Sequence, residues 1–182
     1  MTQKNSRAIQ FKTPLIRIGT WTIIRLPKKE SEKLPSRGMV MVEGTVNGYY
    51  FQAPLEPDGM RSHWLKVDRA LREGANVKVG DVLKFEIKPV SDWPEPELPM
   101  DLKIALSGNK KAQEVWDKAT SKAHWDWIRW IHATKNSSTR QKRIDVALSK
   151  LTSGERRPCC FNRNMCCEPA VSQSGVLLES IS

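Results

Sequence analysis

The chain has 182 residues, 27% of them charged, and a formal net charge of +10. That length accommodates one ordinary domain or two small ones, and no apolar stretch approaches the roughly 18 residues of a membrane-spanning candidate. Residues 1–14 lack the apolar core of a secretion signal, so the cytoplasm is the expected compartment.

Residues 1–12 are expected to begin loosely and end in an edge strand. Trp21–Leu26, WTIIRL, reads as a strand of aromatic and β-branched residues stopped by Pro27. Lys28–Arg37 is either one helical turn before Pro35 or a connecting loop. Met39–Val46 and Tyr49–Leu55 then alternate around Asn47–Gly48. Asn-Gly between alternating runs predicts a hairpin, because a type I′ turn needs positive φ at both central residues. A turn at Pro57–Asp58–Gly59 leads to a strand over His63–Val67 and a short helix over Asp68–Glu73. Gly80–Asp81 then turns the chain into a last strand, Val82–Lys88. So many short strands predict a small curled β domain over residues 1–90, closed or half closed, since a flat sheet would leave exposed edges.

Residues 91–100 contain three prolines and no apolar period, and are read as a semi-extended linker in which Trp93 packs on a neighbouring domain. Beyond them the apolar period shifts from two to about 3.6. Asp101 is expected to cap a helix over Leu102–Leu106. Lys110–Lys118 forms a second, and Lys122–Ala133, capped by Thr120 or Ser121, a third. Thr139–Leu151, capped by Ser137 or Ser138, forms a fourth, with Ile144, Ala147, Leu148 and Leu151 at i, i+3, i+4 and i+7. Residues 101–154 are thus a helical module too short-limbed to stand without packing, and residues 155–182 are a cysteine-containing tail. The expected class is α+β, a β pseudobarrel followed by a small α-helical bundle.

Candidate chemistry is sparse. The histidines are His63, His124 and His132. His124 and His132, eight apart on a helix, point about 80° apart and make no metal pair. His63 follows Ser62 but has no third member for a catalytic dyad. No phosphate-binding glycine loop or HExxH is present. The acids of the linker, Asp92, Glu95, Glu97 and Asp101, are read as mobile, whereas general-acid work needs a positioned, buried carboxyl. No catalytic, cofactor-binding or metal residue is assigned, and an enzyme is not expected.

Two stretches invite binding. Residues 122–157 hold nine Lys or Arg against three acids, and Arg129, Lys135, Arg140 and Arg143 are the candidate anion-binding face, against the alternative of a solvated helix side. The third helix carries Trp125, Trp127 and Trp130 among cations. These rings could stack bases, but a broad apolar arc with Ile128 and Ile131 favours a core role. In the tail, Cys159, Cys160, Cys166 and Cys167 fall within nine residues. They fit a soft-metal site, a redox-responsive cluster beside Arg156, Arg157 and Arg163, or plain reduced thiols.

WTIIRLP, EGTVNGYYFQAPLEPDG, HWLKVDRALRE and VGDVLKFEI together resemble a DUF-type β domain of bacterial proteins. The helical half, from DLKIALSGNKKAQEVWDKATSKAHWDWIRWIHATKN to ALSKLTSG, resembles the bacteriocin-protection family, also called YdeI or OmpD-associated. The resemblance spans roughly Ile9–Gly154, and the two domains are commonly fused in that order. It implies a double-split barrel similar to AbrB and MazE-type proteins. It also implies a non-enzymatic cytoplasmic binding or adaptor role linked to bacteriocin or antimicrobial-peptide tolerance, with an unidentified protein partner. The alternative it raises is an AbrB-like nucleic-acid-binding regulator, and no cofactor is implied.

Overall fold

The computed structural model describes residues 8–19, 21–132, 134 and 136–158. The chain divides into two compact units, one ending at Ser91 and one beginning at Asp92. The first contains β1 (Ile9–Pro14), β2 (Ile16–Ile18), β3 (Trp21–Arg25), α1 (Lys28–Ser31), β4 (Val40–Val46), β5 (Tyr49–Pro57), β6 (His63–Lys66), α2 (Arg69–Gly74) and β7 (Val82–Pro89). Its strands form one antiparallel sheet in the order β1-β7-β4-β5-β6-β3-β2.

The two edges of that sheet, β1 and β2, are separated in sequence by Leu15 alone. The sheet must therefore curl until its ends come from one continuous stretch of backbone. Thr13 Oγ1 on β1 donates to the Arg25 carbonyl on β3 at 2.8 Å, while Leu15 exchanges backbone hydrogen bonds with Asp81 and Gly80. The result is a half-closed barrel, as the strand rhythm predicts.

Local chemistry explains its turns. Asn47 and Gly48 have φ of 48° and 88°, the two positive values that the predicted hairpin requires. The Asn47 side chain also accepts from Lys84 N at 2.9 Å, pinning the hairpin to β7. Asp68 caps α2 by accepting from Leu71 N. Along β7, Leu83, Phe85 and Ile87 point inward and the residues between them outward. Phe85 stacks on Phe11 at 5.1 Å and meets Phe51 edge-on at 5.8 Å. On β4, a side chain at Gly44 would put its Cβ 1.9 Å from the Glu86 carbonyl oxygen. The β4–β7 pairing at this point therefore needs glycine.

One segment goes beyond expectation and one settles an open alternative. β2 is a separate three-residue strand that the sequence did not announce, and Lys28–Ser31 resolves the choice between turn and loop as a single helical turn.

The second unit holds α3 (Met100–Ser107), α4 (Lys110–Asp117), α5 (Ser121–His132) and α6 (Ser137–Thr152). Its core is built from Leu102 and Leu106 of α3, Trp116 of α4, Trp127 and Ile131 of α5, and Ile144 and Leu151 of α6. Trp127 is fully buried and Trp130 packs against the same cluster, so the tryptophan arc serves the interior. Asn109 caps α4, and Thr120 accepts from Ala123 N at the start of α5. The cap of α6 is Asn136, one residue ahead of the expected serines. Asp101 lies inside the first turn of α3, where its carboxylate accepts from Leu102 N. No helix among the described residues is long and apolar enough to cross a membrane.

Candidate functional site

Of the four expected anion-binding cations, Arg129, Arg140 and Arg143 lie among the described residues, in three different settings. Arg129 lies on α5 at 3% exposure. Arg140 is committed to Asp101, with Nε 2.6 Å from Oδ2 and Nη2 3.0 Å from Oδ1, a bidentate tie from α6 to α3. That guanidinium holds the Asp101 carboxyl below the usual carboxylate range, with the Leu102 N–H adding to the effect. Arg143 Nη1 donates to the Trp130 carbonyl at 2.6 Å, and its guanidinium stands 5.5 Å from the centroid of that ring. Arg140 and Arg143 therefore orient helices as well as carrying charge. Lys135 and the four cysteines, Cys159, Cys160, Cys166 and Cys167, lie outside the described residues.

A more specific arrangement occurs where the proline-rich stretch meets α5. Trp93 is overlain by Lys122, whose Nζ is 5.0 Å from the ring centroid. The next residue, Pro94, accepts from Trp125 Nε1 at 2.8 Å. The one after, Glu95, meets His124 Nδ1 through its carboxylate. His124 Nε2 reaches the Trp116 carbonyl at 2.9 Å, and its ring stacks on Trp116 at 4.2 Å. Three successive residues are thus held by three side chains within one turn of α5. The expectation of a freely moving linker gives way here to an extended strap on its own unit, with Pro96 buried and Leu98 packed on the helical core. The sequence did carry a signal for this. Prolines at 94, 96 and 99 stiffen the segment, so a carboxylate at 95 is presented at low entropic cost.

In the β unit, His63 is wholly buried. Its Nδ1 lies 2.7 Å from Ser31 Oγ, and its Nε2 lies 2.8 Å from the Gly38 carbonyl. A carbonyl only accepts, so Nε2 carries the proton and Nδ1 accepts from the Ser31 hydroxyl. Burial is the main cause that pushes this imidazole below its ordinary value, toward the neutral form. Its sequence neighbour Ser62 turns away and donates to the Leu26 carbonyl instead. The true partner, Ser31, is 32 positions distant, and no local pattern marks it. With both members buried, the pair ties α1 and the Gly38 loop to β6.

Two surface clefts lie on the β unit among the described residues. One, of about 540 Å³, is lined by Arg69, Arg72, Glu73 and Lys78 among others. The other, of about 450 Å³, has Arg37 and Arg61 on its wall. In the first, Arg69 is neutralised by Glu73 at 2.7 Å. Beside the second, Asp58 is buried with its carboxylate accepting from Met60 N and Ser62 N. On the helical unit, Met100 and Ile104 project from one side of α3 at 68% and 64% exposure, an apolar pair one helical turn apart.

Comparison with known families places these features. Residues 11–87 match the family described as Domain of unknown function (DUF1905). Residues 95–154 match the family described as Bacteriocin-protection, YdeI or OmpD-Associated. The chain carries both domains, in that order. The second match begins at Glu95, so the strap residue that meets His124 falls inside the bacteriocin-protection domain. No curated protein matches the chain.

Proposed function

We propose that the chain is a non-catalytic binding or adaptor protein of the cytoplasm, acting in bacteriocin or antimicrobial-peptide tolerance, with the helical unit as its contact module. The observation that carries this reading is the match of residues 95–154 to the bacteriocin-protection family, which covers nearly the whole helical unit. The exposed pair Met100 and Ile104 supports it. Large apolar side chains one turn apart and outside the core are what a protein partner can cover. The nucleic-acid alternative would need cations on one free face, whereas Arg140 and Arg143 already hold α3 and α5.

A binder protects only up to its own stoichiometric amount and leaves its ligand intact, whereas a catalyst turns over and consumes it. Tolerance of cells exposed to excess bacteriocin should therefore saturate at a level set by the copy number of the chain, and the bacteriocin should be recovered intact by mass spectrometry. Ile104→Asp, at an exposed helical site where substitutions usually cost under about 1 kcal/mol of stability, should abolish the protection while the melting temperature stays near that of the parent. Fragmented bacteriocin, or full protection by Ile104→Asp, would overturn the reading.

A further inference from the structure

The loop from β5 to β6 holds an arginine in a backbone state that favours glycine. Asp58 builds this loop from inside. Its N–H donates to the Ser62 carbonyl at 3.0 Å, and its buried carboxylate accepts from Met60 N at 2.7 Å and Ser62 N at 2.8 Å. The chain closed in this way has Gly59 at φ 74° and Arg61 at φ 70°. Glycine reaches that region freely, whereas a residue with a Cβ is strained there. Arg61 thus stands where glycine would fit better, and it lines the cleft of about 450 Å³.

Arg37 lines the same cleft and is tied to the loop. Its Nη1 donates to the Arg61 carbonyl at 3.2 Å, which joins two arginines 24 positions apart. That bond leaves the Nε–Nη2 edge of Arg37 uncommitted. The same edge of Arg140 grips Asp101 bidentately in the helical unit, and this fork is what arginine offers to oxyanions. Among the described residues neither Arg37 nor Arg61 forms an ion pair. The acids of the stretch do not neutralise them: Asp58 turns its carboxylate to backbone N–H groups, and Glu56 is buried on β5.

We propose that the cleft binds a phosphate monoester, with Arg37 and Arg61 as its two forks. A carboxylate has two oxygens and is satisfied by one guanidinium, as Asp101 is by Arg140. Two guanidiniums on one wall suit an anion with three free oxygens and close to two charges, which is a terminal phosphate at neutral pH. A phosphodiester has one charge and two free oxygens, so a nucleic-acid backbone matches the pair less well. The volume suits a small molecule, since ligand pockets run from about 300 to 1,000 Å³, and Pro57 adds apolar surface beside the charges. The site belongs to the β unit and does not depend on the contact role proposed for the helical unit.

The test titrates the full chain at pH 7 and constant ionic strength with glycerol 3-phosphate, dimethyl phosphate or acetate. Binding is read by calorimetry and by the amide signals of residues 59–62 in nitrogen–proton NMR spectra. Glycerol 3-phosphate should shift those signals and bind at least tenfold more tightly than either other probe. Arg61→Gly removes the fork and the backbone strain together. Monoester affinity should therefore fall at least tenfold while the melting temperature equals or exceeds that of the parent. Arg61→Gln, near in size but uncharged, should show the same loss, and Arg72→Gln in the other cleft should bind as the parent does. The site would be overturned by any of three results: no shift at residues 59–62 or equal affinity for the three probes, undiminished binding in Arg61→Gly or Arg61→Gln, or an equal loss in Arg72→Gln.

Discussion

Each unit buries one histidine against a main-chain carbonyl, and the second partner of the ring divides the two cases. In the β unit the partner is the Ser31 hydroxyl, which can donate, so His63 is satisfied as a neutral group. In the helical unit it is the Glu95 carboxylate, which can only accept, so Nδ1 of His124 is the donor to it. What decides which ring nitrogen carries hydrogen is the chemistry of its neighbours, and the side-chain neighbour comes from a distant part of the sequence in both units. The hydroxyl-paired ring sits in a shell of inward-pointing apolar side chains. The carboxylate-paired ring sits where the Glu95 half of the pair is open to water.

The largest expected effects come from the two cores that frame these rings. Phe85 stacks on Phe11 and touches Phe51, and Trp127 is fully buried among the helices. Phe85→Ala and Trp127→Ala should each cost about 3–5 kcal/mol. If the two units are stabilised separately, as their separate cores indicate, denaturant unfolding followed by far-ultraviolet circular dichroism should show the first variant shifting the β transition and the second the helical one. A single transition shifted equally by both would break the comparison at its root.

Next in size is His63 itself. His63→Ala leaves the Ser31 hydroxyl and the Gly38 carbonyl buried without their partner, at a cost of about 1–3 kcal/mol for the unsatisfied groups in addition to lost packing. The pH dependence has a definite sign. The folded state holds His63 below its ordinary value of 6.5, so the unfolded chain binds the proton more readily. Stability of the β unit is then fully present above pH 6.5 and is lost as pH falls through the depressed folded value. Denaturant midpoints measured from pH 8 downward should show this slope in the parent and lose it in His63→Ala.

Much of the scaffold was legible before any coordinates. Asn47–Gly48, the short helix at Asp68–Glu73 and the strand at Val82–Lys88 each act through neighbours a few positions away, so local chemistry named the hairpin, the helix and the last strand. The apolar residues of α6 were readable for the same reason, at spacings of three and four. The pairings were not readable. Ser31 with His63 and Glu95 with His124 join positions 32 and 29 apart, and only the closed fold selects them. The partners of the basic residues were not legible either, because net charge along a helix says nothing of which cations already meet another group. Arg129 is buried, and Arg140 and Arg143 meet a carboxylate and a carbonyl that the sequence places on other helices. Prolines 94, 96 and 99 were read as a semi-extended linker between domains, and the same stiffness suits a strap.

The smallest effect tests whether charge at the surface of the helical unit matters as little as its solvation suggests. Arg140 and Asp101 meet with bidentate geometry, but the Asp101 side chain is 42% exposed, so water and salt screen much of the attraction. Arg140→Ala should cost about 0.2–1 kcal/mol, at the scale of surface pairs, and less at high salt. The carboxyl is held below its ordinary value of 3.8, chiefly by Arg140. Its contribution is therefore present above pH 3.8 and disappears as pH falls through the lower folded value. Helical-unit unfolding followed from pH 5 to pH 2 should show a shallow loss in the parent that Arg140→Ala reduces. A loss as steep in Arg140→Ala as in the parent would mean that the Leu102 N–H, and not the guanidinium, sets the state of Asp101. The tie from α6 to α3 would then rest on packing between Leu106, Ile144 and their neighbours, and the basic residues of α6 would be freer to meet a partner than their geometry indicates.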